Sequence, residues 1–523
     1  MNKDGRQIAK AATLVMALFV VSRMLGLVRE MVIGALFGTS ATYDAYVAAA
    51  RIPEMIFLVI AGGALGSAFI PTFADHLTKR DQAGAWQLAS AIVNLVLILL
   101  VAVTGLMAIF APALVRTVVA PGFDDPSQQA LTVSLLRLML LSQIIFGVSG
   151  IVMGVLNAHQ HFLLPALAAS VYNLSITGGA LLLGPRMGVT GMAIGMVVGA
   201  ALHLLVQVPG LLRYGARYIP TLGLHNPSVH EVGRLMAPRV LGTAITQVNF
   251  VINTRLASMM GEGAVSAINY AWLLVMLPHG IFAQAVGTAA FPTFAEQVAR
   301  GERNEMRSTL TATLRAVFFL SIPATMGLLV LGQPLVRLLF ERGAFEASST
   351  EAVTWALVFY ALGLVGHAGW EISARAFYAM HDTLTPVWVG GLAMGFNIVL
   401  SLTLPGAFEL AGWPPYAGLA LANSVAVLLE LVTLLVLMQR RMGGLEGQQM
   451  LMAFAKSGLA SLAMGAVLMG WQAALPNAGS LVLGGGGIML GVAVYLGAAL
   501  LLRVEELRSV AGLVRRRARP PGR

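Results

Sequence analysis

Long apolar runs, separated by short polar turns bearing glycine and proline, recur from one end of the chain to the other. Most runs are longer than the roughly 20 residues an α-helix needs to cross a bilayer. The pattern predicts fourteen spanning helices, at about 8–37, 42–74, 85–110, 127–156, 162–183, 188–212, 228–260, 263–298, 305–332, 348–379, 383–404, 415–438, 449–474 and 480–502. The predicted fold is therefore an all-α polytopic membrane protein. An even number of spans places both ends on one side. Two connecting stretches, 111–123 and 333–345, read as amphipathic. Each follows the third helix of its half.

The same pattern shows an internal repeat. Gly66-Ser67-Ala68-Phe69-Ile70-Pro71-Thr72-Phe73-Ala74-Asp75 matches Gly287-Thr288-Ala289-Ala290-Phe291-Pro292-Thr293-Phe294-Ala295-Glu296. A basic loop follows each copy. Six predicted helices separate the copies, so the repeats run in the same orientation. Parallel halves with a substrate site between them are a transporter architecture. Pro53 and Pro278 stand at corresponding places in predicted helices two and eight, each followed by glycine (Gly62-Gly63, and Gly280). Paired interruptions of this kind mark transport sites, although a single proline kink is common in any membrane helix.

Loop charge sets the expected orientation. Lys3, Arg6, Lys10, Lys79, Arg80, Arg213, Arg217, Arg300, Arg303, Arg307, Arg440, Arg441 and the tail Arg515-Arg516-Arg517-Ala518-Arg519 fall on one side. Only Arg116, Arg186, Arg337 and Arg342 fall on the other. Both termini are thus expected in the cytoplasm. Composition agrees: 58% of the 523 residues are hydrophobic and 11% charged, which excludes an ordinary soluble domain. The net charge of +10 belongs to loops and tail and reads as a topology signal, not as nucleic-acid binding. Cysteine is absent, which excludes disulfide and thiol chemistry.

No catalytic or metal-ligating constellation stands out. His159 and His161 sit in a polar turn with no acid beside them, and a solvated turn is the simpler reading. Gly484–Gly487 lies in an apolar run and reads as close helix packing. The informative residues are charges within predicted spans: Arg23, Arg29, Glu30, Asp44, Arg51, Glu54, Arg137, Arg239, Arg255, Glu371, Arg375 and Glu430. Such groups face a partner or a water-filled cavity. Glu371 and Arg375 are spaced to satisfy each other, and Arg51 and Glu54 could do the same. Glu30 follows Arg29 directly and points elsewhere on the helix. Arg23 and Arg29 lie about 9 Å apart along one helix, and Asp44 and Arg51 about 20° out of register on the next. The first two helices carry three arginines, and guanidinium suits phosphate. Aligning Gly38 with Gly261, with a gap of about three residues, brings Arg255 opposite Arg29, so both halves are expected to offer an arginine to one cavity.

At these residues the chain resembles the MurJ (MviN) lipid II flippases of the multidrug/oligosaccharidyl-lipid/polysaccharide exporter superfamily. The pieces that carry the resemblance are Ser22-Arg23-x-Leu25-Gly26-x-x-Arg29-Glu30, Asp44-Ala45, Ala68-Phe69-Ile70-Pro71, Ala120-Pro121-Gly122-Phe123, Leu156-Asn157 and Ala289-Ala290-Phe291-Pro292. The resemblance implies two six-helix lobes, 1–222 and 223–440, closing a cationic cavity. It implies that 441–503, the last two helices, form a groove for the lipid tail, and that 504–523 is a basic cytoplasmic tail. It implies alternating access that carries lipid II, an undecaprenyl-diphosphate-linked saccharide-peptide, from the inner to the outer leaflet without enzymatic chemistry or cofactor; the alternatives are a flippase for another polyprenyl-diphosphate-linked saccharide and an ion-coupled small-molecule exporter of the same superfamily. Membrane lipids and a coupling ion are the other partners implied, and the chain is expected to act as a monomer. Ser22, Arg23, Arg29 and Asp44 match the family's essential polar residues, with Glu30 where Asp is frequent. Arg51 and Arg255 are expected as further substrate contacts, and Gly26, Pro53 and Pro278 as hinges. The chain departs from the family pattern at Phe57 and Leu273, where arginine is usual, and at Gly62, where glutamate is usual.

Overall fold

The computed structural model describes residues 21–60 and 64–507. Lys3, Arg6, Lys10, Gly62-Gly63 and the arginine tail 515–519 lie outside the described residues, as do the side chains of Gly66, Ser67 and Arg239. Every described element is helical. The chain divides into two compact units, Met1–Val265 with Arg342–Phe345, and Ser266–Glu341 with Glu346–Arg523.

The first unit holds α1 (21–37), α2 (Ala41–Ile60), α3 (Ala64–Thr78), α4 (Gln82–Ile109), α5 (Ala111–Leu114), α6 (Pro126–Ala158), α7 (Leu163–Gly178), α8 (Gly184–Met187), α9 (Val189–Leu205), α10 (Val208–Arg213) and α11 (Pro227–Ser258). Polar residues start the helices where the apolar runs begin. Asp81 caps α4 through Gly84 N–H, and Asp125 and Asn226 cap α6 and α11, each followed by a proline whose missing N–H is harmless there. α6 is the axis of the unit, packed by α2, α3, α4 and α9. Leu135, Leu136 and Met139 on it are fully buried. α7 and α9 approach backbone to backbone: a Cβ on Gly195 would lie 2.7 Å from the Ser175 carbonyl. Small residues permit that closeness in a membrane helix pair. The unit boundary falls at Val265, so α11, which the helix count assigns to the second half, is grouped with the first, packed on α2 and α3.

The second unit holds α12 (Ala264–His279, from Ser266 on), α13 (Ala285–Ala299), α14 (Arg303–Phe340), α15 (Ala347–Leu362), α16 (Leu364–Ala379), α17 (Leu384–Leu410), α18 (Pro415–Arg441), α19 (Gly447–Ala474) and α20 (Gly487–Leu501). One core gathers Phe294, Leu314, Ile372, Phe377 and Leu434 from α13, α14, α16 and α18. A second joins α19 and α20 to α14 through Phe319, Leu331, Met464 and Tyr495. The Tyr495 hydroxyl donates to the Phe319 carbonyl at 2.7 Å, which lets a tyrosine sit in that apolar core. Arg315 on α14 pairs with Glu505 and Glu506 after α20, at 2.6 and 2.5 Å.

Among the described residues ten helices are long and apolar enough to cross a membrane, or eleven when the bent pair α15–α16 counts as one span. Three expected spans make up the difference from fourteen. The first begins and the second passes through residues outside the described set. The third, α11, is a continuous 32-residue helix carrying Arg234, Arg239 and Arg255, too polar to count among them. Stretch 333–345 is not a separate amphipathic element: α14 runs unbroken to Phe340 through Pro323 and Pro334. Neighbouring helices can satisfy the carbonyls that a proline frees inside a membrane bundle.

Candidate functional site

Ser22, Gly26 and Arg29 are spaced i, i+4, i+7 and form one stripe of α1. The stripe faces Asn173 on α7. The Asn173 carboxamide donates to the carbonyls of Ser22 (3.5 Å) and Ala169 (3.2 Å), and its Oδ1 accepts from Arg29 Nη1 at 2.9 Å. Gly26 lies against this carboxamide with room to spare, since a Cβ there would sit in ordinary contact, 4.0 Å from Asn173 Oδ1. Arg29 turns its other edge to Glu30: Nε and Nη2 both donate to Oε1, at 3.0 and 2.6 Å. This corrects the expectation that Glu30 points away from Arg29. Adjacent side chains diverge by about 100° on a helix. Here both are long, and their pairing satisfies two charges within an apolar span. Tyr43 of α2 donates to the other Glu30 oxygen at 3.4 Å. Both side chains are largely withdrawn from solvent, Arg29 at 24% and Glu30 at 8% exposure. Arg23 lies exposed about 120° around α1 from Arg29.

A second cluster forms at the Gly38 end of α1. Asp44, fully buried in the first turn of α2, accepts from Gly263 N–H at 2.7 Å, just before α12. Reciprocally, Glu262 accepts from Ala41 N–H at 2.9 Å, at the start of α2. Each carboxylate thus meets a helix N-terminus, where backbone donors are unsatisfied and the dipole favours negative charge. The two linkers aligned by the repeat are tied to each other. Segment 342–345 joins them: Ala344 N–H donates to the Ala35 carbonyl at 2.8 Å. Gly38 (φ +57°) fits only without a side chain, for a Cβ would lie 2.3 Å from the Ala344 carbonyl oxygen. Gly122 N–H donates to Ser258 Oγ at 3.3 Å. Arg255 belongs to this end as well, donating to the Thr117 carbonyl in a π-helical turn, Val115–Val119. The structure does not bring it to Arg29.

Arg51 bridges α2 to α11. Nη1 pairs with Glu54 at 3.1 Å and Nε donates to Thr254 Oγ1 at 3.0 Å. Pro53 sits within α2, which continues to Ile60. Pro278 precedes a break: α12 ends at His279 and a π-helical turn, Gly280–Gln284, leads into α13. Phe57, standing where the family pattern has arginine, packs edge-on against Phe146, which packs edge-on against Tyr172 beside Asn173. An aromatic chain occupies that side of the site in place of a cation. Glu371 and Arg375 pair at 2.6 Å as their spacing predicts. Arg137 instead donates to the Ala108 carbonyl at 3.0 Å. Among the described residues no group of three or more His, Asp or Glu side chains could hold a metal ion.

Sequence reasoning missed Asn173, Thr254, Tyr43 and Glu262. Asn173 had a signal: it is a lone carboxamide in an apolar helix, and such groups seek interhelical partners.

Residues 33–483 match the model of the family described as Lipid II flippase MurJ. The chain belongs to this family. A MurJ relative from Burkholderia cenocepacia, named Lipid II flippase MurJ, is 32% identical over 429 residues, covering 80% of this chain and 81% of its own length. One from Bdellovibrio bacteriovorus, named Probable lipid II flippase MurJ, is 28% identical over 520 residues and 98% of both chains. A solved MurJ structure, titled an inward closed conformation, superposes with a TM-score of 0.79 at 26% identity, over 94% of this chain and 99% of that one. A multidrug MATE transporter in an inward-facing conformation shares the fold at a TM-score of 0.66 and 16% identity, over 82% of this chain and 98% of that one. With its many apolar spans, this MurJ-family chain is a multi-pass bacterial inner-membrane protein.

Proposed function

We propose that the protein is a flippase that carries lipid II from the inner to the outer leaflet by alternating access. Family membership supplies the substrate class. The observation in this chain that supports it is the Arg29 fork, held in a membrane helix with its charge balanced by Glu30. A diphosphate entering the site displaces Glu30 from the guanidinium and gains bidentate geometry. Asn173 holds the arginine in place, and Arg23 and Arg51 add positive charge on the neighbouring faces of α1 and α2. The clasp of Asp44, Glu262 and segment 342–345 closes one end of the path. The loop charges support a reading with that end outside and both termini in the cytoplasm. The groove beside α19 and α20 takes the polyprenyl tail, which is far too long for a polar cavity. No chemical step is assigned to any residue, and the chain works as a monomer.

The test is transport of lipid II by the purified protein in vesicles. Arg29→Ala should lower the rate about 100-fold or more, as loss of a buried charge contact does. Because that change strands Glu30, the double variant Arg29→Ala/Glu30→Gln is the control for folding. Arg29→Lys should restore only part of the rate, since the fork is lost. Normal transport by a folded Arg29→Ala protein would move the diphosphate site elsewhere.

A further inference from the structure

α18 carries a single acid, Glu430, in the middle of its span. It is half-buried and joins no ion pair among the described residues. Arg375 on α16 is taken by Glu371, through Nε at 2.8 Å and Nη2 at 2.6 Å. The carboxyl rests instead against α17 at Gly390, where a Cβ would lie 3.0 Å from Oε1. From α16 the buried Trp370 indole N–H is set toward the carboxyl without completing a hydrogen bond.

The titratable and charged groups on the packed elements are few. α16 presents Tyr378, with Glu371 and Arg375 beyond it, and carries His367 bonded to Asn423. α17 has only Glu409, near its far end, and α15 only Glu351 and Tyr360. On α18 itself Tyr416 begins the helix and Arg440 and Arg441 end it. None of these is a cation seated on Glu430. An ionised carboxylate with no cation seated on it is costly within a membrane span. A metal ion would need several oxygen ligands, whereas this carboxyl faces a glycine and an indole donor.

We propose that Glu430 is a proton-binding site of the transport cycle. The carboxylate takes one proton from water to become the carboxylic acid, and returns it to water when the pocket between α16, α17 and α18 opens. The proposal rests on the reading of the protein as a transporter, but its first test needs no substrate. In difference infrared spectra of the purified full-length protein, a protonated-carboxyl band should appear as pH falls and should be missing from Glu430→Gln. In vesicles, transport should follow pH with the roughly tenfold-per-unit limb of one titrating group. Glu430→Gln should flatten that limb, and Gly390→Ala, which crowds the carboxyl, should displace its midpoint. Identical spectra for parent and Glu430→Gln would overturn the proposal. So would a pH-independent parent that responds to a sodium gradient. An infrared band lost in Glu430→Gln, together with no lipid II transport by the parent, would leave the proton site standing and overturn the substrate instead.

Discussion

At the scale of single residues, the contacts separate into those readable from spacing and those that are not. Glu371–Arg375 was readable because i, i+4 neighbours meet on any helix. Arg29–Asn173 joins residues 144 positions apart, and residue type alone gives no pairing between them. Asp44 is harder still, because its partner is a backbone N–H at Gly263 that looks the same in every residue. Charged residues outside the spans give a pH-dependent expectation. Asp382, between α16 and α17, is disfavoured as an anion by burial, but the Thr385 hydroxyl and N–H and then Arg441 outweigh this and hold its carboxyl at about 2, below the usual 3.8. The lowered value means that this contribution to stability is present above about pH 4 and lost as pH falls toward about 2. Thermal unfolding in detergent should show that extra loss in the parent and not in Asp382→Asn. Parallel curves for the two proteins would remove Asp382 from the account.

At the scale of elements, apolar run length located the helices, because a membrane tolerates few alternatives. Their interruptions were less legible. Pro334 does not end α14, whereas a π-helical turn interrupts the span after Pro278. Proline shows where an N–H is missing, but packing decides whether the helix carries on. The linkers are the most constrained elements, and two glycines separate the causes. Gly38 and Gly301 both have positive φ, +57° and +73°, but only Gly38 also faces a backbone atom within 4 Å. Gly301→Ala should cost only the conformational term, about 1–2 kcal/mol. Gly38→Ala must also push 342–345 away, so its loss in thermal stability should be clearly larger. Equal losses would mean that segment 342–345 yields freely.

At the scale of the whole molecule, the repeat and the family motifs gave the transporter architecture, and the loop arginines gave an orientation that remains a matter for labelling. The chain has no cysteine, so single introduced thiols report without background. Lys79 is 68% exposed on the basic side, and Arg186 is exposed on the other. Lys79→Cys should resist an impermeant thiol reagent added to intact cells, while Arg186→Cys should react. The reverse pattern would invert the protein in the membrane. α11, counted by sequence with the second half, packs on α2 and α3 within the first unit. A hydropathy profile records where helices are, not which neighbour each one chooses.

The π-helical turns carry a further consequence. Four occur among the described residues, at Val115–Val119, Gly179–Leu183, Gly280–Gln284 and Leu481–Gly486. The last three run on into a helix, and each holds one residue more than an α-helical turn would need, so it rotates that helix by about 100°. A helical wheel drawn straight through Gly280 therefore assigns the residues of α13 to the wrong sides. Removing one residue from such a turn would restore a plain helix and re-aim the following side chains without changing any of them. For this chain, single-residue deletions at those three places are changes of direction rather than of composition, and a comparison of lengths within the family carries information that a comparison of residue types does not.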